Sequence, residues 1–88
     1  MTNEAYDNLR EGDIIWDYEI VPGAGMVKKC TVIDITRFYA GVKYLHNGNF
    51  VRFKRAEALD YFSIRVIDAF VMSFEKLPHI WEGYHAMR

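Results

Sequence analysis

The sequence predicts a mainly β domain, and three observations carry that expectation. Asn47-Gly48 lies between two alternating segments, Val42-Lys43-Tyr44-Leu45-His46 and Asn49-Phe50-Val51-Arg52-Phe53-Lys54, the strongest short-range hairpin signal a chain can carry. Ile14 to Val21 alternates, and Met26 to Thr36 is dense in β-branched side chains, as strands require. With 88 residues, 51% of them hydrophobic and 16% aromatic, the chain has material for one core and none for a second domain. A single domain over residues 1–88 is therefore expected.

The elements follow in order. Thr2 or Asn3 suits the cap of a short helical turn ending near Asn8, and Leu9-Arg10-Glu11-Gly12-Asp13 reads as a loop. In the first strand Ile14, Trp16, Tyr18 and Ile20 are expected on the core side, with Asp17 and Glu19 facing away. Pro22-Gly23-Ala24-Gly25 reverses the chain, and the second strand, Met26 to Thr36, is long enough to bend or carry a bulge. Arg37-Phe38-Tyr39 leads to the hairpin. A two-residue type I′ turn at Asn47-Gly48 would pair Tyr44 with Val51 and Val42 with Phe53 on the interior face. The same register sets Lys43 opposite Arg52, beside Leu45 and Phe50, on the other face.

Ala56 to Phe62 favours one or two helical turns, and Ser63 to Ile67 a closing strand. Beyond it, Ile67, Phe70, Val71, Phe74 and Leu77 fit helical spacing, with Asp68 as cap and Pro78 as stop. Alternation through Ile64, Val66, Phe70, Met72 and Phe74 fits a strand as well; a helix over about 69–77 is the preferred reading. The tail His79-Ile80-Trp81-Glu82-Gly83-Tyr84-His85 is aromatic enough to be expected to dock.

The net charge of −1 argues against a nucleic-acid binder working by bulk positive charge and against an acidic mimic of DNA. Its distribution is uneven. Residues 1–25 carry six acids against Arg10, whereas residues 26–55 carry seven cations against Asp34. Neighbouring strands can pair these charges, Glu19 opposite Lys28 for instance. The single cysteine, Cys30, excludes an internal disulfide and, mid-strand, reads as a buried small hydrophobe. Without a signal-peptide pattern or a long apolar run, the expected compartment is a reducing cytoplasm, with no membrane partner.

No catalytic constellation stands out. Cys30 lacks a neighbouring base, and His46 flanks the tight turn. His79, Glu82 and His85 could meet only on a helix that Gly83 weakens, with no fourth ligand, so no metal is expected. Gly23 and Gly25 lack the third glycine and the Lys-Ser/Thr of a phosphate loop. Asp13 and Asp17 would need a desolvated cleft to act as acid or base. The chain is read as no enzyme and as carrying no cofactor. What remains is surface: Lys43, Arg52 and Lys54 on one hairpin face, Lys28, Lys29 and Arg55 near it, and Phe50 at its tip.

Two pieces resemble the SH3-like small-barrel group, which includes Tudor, chromo-like and KOW-type domains. They are Leu9-Arg10-Glu11-Gly12-Asp13-Ile14-Ile15-Trp16, and the pairing of Thr31-Val32-Ile33 with Val42 to Gly48 and Val51. The resemblance covers about residues 9–67 and implies a five-stranded small barrel with a helical turn before the last strand, matched by 56–62 and 63–67. Residues 68–88 would form a helical or aromatic extension. It also implies binding of peptides, modified side chains or nucleic acid. An aromatic cage could draw on Trp16, Tyr18, Tyr39 and Phe50 with Asp17, but alternation assigns Trp16 and Tyr18 to the core.

The functional expectation is a non-catalytic, stand-alone accessory protein of phage or mobile-element type. It would engage and inhibit or modulate a larger host protein through Lys43, Phe50, Arg52, Lys54 and Arg55 and through Trp81 and Tyr84 of the tail. Nucleic-acid binding by the same basic face is the alternative, and a homodimer joined through Phe70 to Trp81 is the third.

Overall fold

Thr2 opens the first helix as its residue type dictates: it is extended, and its hydroxyl accepts the Ala5 N–H at 3.1 Å. The computed structural model describes residues 1–18 and 27–76, the last four (73–76) by backbone alone. The turn expected at Pro22 to Gly25 and the aromatic tail lie outside the described residues. The helix α1 (Asn3–Asp7) buries Tyr6, whose hydroxyl donates to the Thr36 carbonyl at 2.8 Å.

Five antiparallel strands form one curled, half-barrel sheet: β1 (Ile14–Asp17), β2 (Lys28–Ile35), β3 (Tyr39–Tyr44), β4 (Phe50–Lys54) and β5 (Phe62–Ser63). Their order is β4-β3-β2-β1-β5. Between β2 and β3 the register breaks between Val32 and Asp34, the expected bulge, with Ile33 as the extra, exposed residue. The helix α2 (Arg55–Tyr61) follows β4 directly, the Glu57 carboxylate accepting the Lys54 N–H at its start. Ile15, Cys30, Val32, Ala40 and Val42 line the concave side and pack with Ala58 of α2 and Phe62 of β5. The Met1 ammonium donates to the Leu59 and Phe62 carbonyls at 2.6 and 2.8 Å, tying α2 to β5.

The structure corrects the expected pattern of the first strand. Ile15 and Asp17 point inward, whereas Ile14 is 37% exposed and Trp16 half-buried. Ile14 and Ile15 are both apolar, so parity rests on the next pair, and the carboxyl group wins the interior because a donor awaits it. The Tyr44 hydroxyl donates to Asp17 Oδ2 at 2.5 Å, and Asp17 is only 5% exposed. Tyr18 is buried as expected, just past the strand end, with its N–H donating to the Tyr61 carbonyl. Opposite Lys28 stands Asp17; Glu19 lies outside the described residues.

The closing strand is also shorter than expected. Only Phe62 and Ser63 pair with β1, and the Ser63 hydroxyl turns the chain locally, accepting the Arg65 N–H and donating to the Arg65 carbonyl. Residues expected to finish the strand instead start a helix, α3 (Val66–Lys76), with Asp68 in its first turn rather than at its cap. Of the two readings for residues 68–77, the helix holds over the described ones.

Because the Asp17–Tyr44 bond is buried, Tyr44→Phe removes a donor from an acceptor with little access to water. A loss of about 1–3 kcal/mol in urea-unfolding stability is expected. A variant as stable as the parent would show that the bond is replaceable.

Candidate functional site

The β3–β4 hairpin is built on a longer loop than the Asn-Gly motif suggests. A type I′ turn requires positive φ at both central residues, yet in this loop only Gly48 has it, at 73°. Asn47 uses its side chain instead, Oδ1 accepting the Asn49 N–H at 2.9 Å. The loop is Leu45 to Gly48, closed by Tyr44 N–H to the Asn49 carbonyl and by Gly48 N–H to the Tyr44 carbonyl. The expected register is therefore corrected by two residues: Lys43 faces Phe50, Val42 faces Val51 and Gly41 faces Arg52.

A shift of two keeps every side chain on its expected face. Lys43, Phe50, Arg52 and Lys54 share the outer face and all are exposed, while Val42 and Tyr44 are buried and Phe53 half-buried. Val51, expected inside, is 37% exposed because it lies on the edge strand with a neighbour on one side only. The shift also removes the direct opposition of Lys43 and Arg52, an unfavourable like-charge pair in the expected register.

Gly41 is the residue that shapes this face. A Cβ built there would lie 2.8 and 3.0 Å from two ring carbons of Phe50, so the ring rests across the bare backbone of the glycine. Phe50 is held in this seat yet remains 51% exposed. Cross-strand rows complete the surface: Ile14–Thr31–Lys43–Phe50, then Asp34–Gly41–Arg52, then Tyr39–Lys54. Arg52 lies 3.9 Å from Asp34, an exposed pair worth little in water.

The other expected site residues are placed differently. Arg55 is committed to the fold. Its guanidinium donates to Asn3 Oδ1 at 3.0 and 3.1 Å, to Asp7 Oδ1 at 2.8 Å and to the Arg37 carbonyl at 3.2 Å, and it stacks 4.5 Å from the centre of the Tyr6 ring. Lys29 is on the outer face, its ammonium over the Trp16 ring at 5.7 Å, while Lys28 belongs to the opposite parity. Trp16 faces outward, against expectation, but β1 and β4 are three strand spacings apart, about 14 Å, so Trp16 and Phe50 do not form a cage. Trp81 and Tyr84 lie outside the described residues.

The remaining chemistry is sparse. Among the described residues no three His, Cys, Asp or Glu side chains are grouped to hold a metal ion, and no helix is long and apolar enough to cross a membrane. A groove of about 290 Å³ lies between Met1, Tyr18, Ile64 and Met72, and one of about 300 Å³ beside Tyr6 and Arg37; neither opens on the hairpin face. Cys30 is buried, and burial pushes its thiol up to about 12.

Sequence reasoning missed Gly41 and the burial of Asp17. For Gly41 a signal was present, since an isolated glycine inside a strand marks a close approach. For Asp17 none was local, since its partner is 27 residues away. No family model, curated protein or solved structure matches the chain significantly.

Two outcomes are expected from these placements. The hydrogen bond from Arg55 holds the Asp7 carboxyl below its ordinary range. A depressed folded value stabilises the protein above the unfolded titration range, and the contribution vanishes as pH falls through the folded value. Asp7→Asn should therefore lower the melting temperature near neutrality and flatten its decline in the acid range; parallel pH profiles would contradict this. Second, Cys30 should resist a water-soluble disulfide reagent at about pH 8 in the native state and react at once in concentrated urea. Rapid native labelling would mean that the thiol is accessible.

Proposed function

We propose that the protein is a non-catalytic binding module that engages a larger protein through the outer face of its β3–β4 hairpin and thereby modulates it. The observation that carries this reading is Phe50, seated across Gly41, half-exposed and flanked by Lys43 and Arg52. An aromatic ring whose position is fixed before binding loses little conformational freedom on contact, and aromatic and arginine side chains are the usual anchors of interfaces. Exposed Ile14, Ile33 and Tyr39 extend the apolar part of the face.

An SH3-like barrel is the architecture we propose for the module. The β1–β4 meander, with β5 returning beside β1 after the α2 insertion, supports it. Nucleic acid is the weaker partner. Arg52 shares its charge with Asp34, and three cations would give a salt slope of only about −2 to −3.

The test compares capture from lysate by the parent chain and by Lys43→Glu/Arg52→Glu, both surface changes that leave the core intact. A stoichiometric protein retained by the parent and lost at least about tenfold by the variant is the expected result. Equal retention by both, or no stoichiometric partner, overturns the proposal, and recovery abolished by nuclease transfers the face to nucleic acid.

A further inference from the structure

The edge of the sheet beside this face has main-chain groups that no described residue uses. β4 is the outermost strand, and the ladder to β3 fixes which of its groups turn outward. The Tyr44 N–H donates to the Asn49 carbonyl at one end, and the Arg55 N–H to the Phe38 carbonyl at 2.8 Å at the other, so Tyr44/Asn49 and Phe38/Arg55 are in hydrogen-bonded positions. In an antiparallel ladder such pairs alternate with non-bonded ones, so Val51 and Phe53 bond to β3 while Phe50, Arg52 and Lys54 direct N–H and C=O away from it. The Lys54 N–H is taken by Glu57. The N–H and C=O groups of Phe50 and Arg52 meet no partner among the described residues.

Exposed edges invite a further strand, and proteins commonly blunt them with proline, bulges or covering segments. Here the β3–β4 register runs without a shift, and Phe50, Val51 and Arg52 are all exposed. Among the described residues charge is the one such device, and it selects rather than blocks. If β4 paired antiparallel with β4 of a second copy, Lys43, Arg52 and Lys54 of both chains would share one face, which like charge opposes. An acidic strand meets the opposite situation. Its residues beside Phe50, Arg52 and Lys54 emerge among those cations, and its alternate residues emerge beside the part-exposed Val51.

We infer that the edge of β4 is a docking site for an extended segment that alternates acidic and apolar residues, added as a sixth strand. The inference deepens the proposed function and rests on it, assigning the partner's recognition element and its mode of contact. Main-chain hydrogen bonds give such an addition its affinity, and the alternate side chains give it selectivity.

The probe is a capped peptide of about seven residues alternating glutamate and valine, titrated into the isotope-labelled full chain at low salt. At saturation the Phe50 and Arg52 amides should exchange at least about tenfold more slowly, while the Val51 and Phe53 amides, already bonded, change little. Arg52→Ala removes charge but keeps the N–H, and should weaken binding about three- to tenfold while leaving the Phe50 amide protected. Arg52→Pro removes the outward donor without touching the ladder, and should abolish protection. Equal binding by the two variants, or shifts confined to side chains, overturns the edge inference and leaves the binding face standing. A titration that moves no resonance overturns it as well, and the face is then judged by the capture experiment alone. Protection without peptide, accompanied by a dimer mass in light scattering, assigns the edge to a second copy and overturns it too. The amide readout on the parent chain decides the matter even if Arg52→Pro fails to fold.

Discussion

Tyr44 is where the commitments of this fold meet. Its hydroxyl holds the buried Asp17 from across the sheet, joining β3 to β1 over the intervening β2. Its main-chain N–H and C=O close the hairpin loop on Asn49 and Gly48. Once the ring is inside, strand alternation leaves Lys43 no choice but the outer face, and the loop closure then places Phe50 opposite it. The interior polar bond and the arrangement of the exterior face thus come from the same residue, one through its side chain and the other through its backbone.

Much of this was legible from local signals. The helix cap at Thr2, the bulge in β2 and the parity of the hairpin follow from residue type and period alone. Where the reading failed, the deciding contact was distant or two devices competed for one residue. Asp17 turns inward for a tyrosine far along the chain, which no strand-by-strand pattern encodes. Asn47 has two ways to make a turn, by left-handed backbone or by side-chain acceptance, and the second lengthens the loop. Ser63 ends β5 early by bonding to Arg65, a local alternative that outcompetes the strand propensity of Ile64, Val66 and Ile67.

Arg52 and Arg55 show why counting cations overstates a binding surface. They are three residues apart, yet one sits in the ladder with its side chain exposed and the other begins a helix that faces α1. There Asn3, Asp7 and the Arg37 carbonyl use the guanidinium donors and Tyr6 its flat face, so its charge serves to hold two helices together. The sequence shows a run of basic residues. In three dimensions the cations that remain interleave with Phe50 and Tyr39, so aromatic rings break the basic stripe.

The outer face and the open edge of β4 are not independent features. Side chains alternate between faces with a period of two, and in an antiparallel ladder the main-chain groups alternate between neighbours with the same period. The residues whose backbone groups meet no partner among the described residues, Phe50 and Arg52, are therefore the ones whose side chains form the face. Lengthening the loop by two residues preserves this coincidence, because it moves the pairing through one full period. A partner strand laid along β4 would meet donors, acceptors, an aromatic ring and positive charge at the same positions. Selectivity of that kind comes from the main chain and the alternate side chains and needs no pocket.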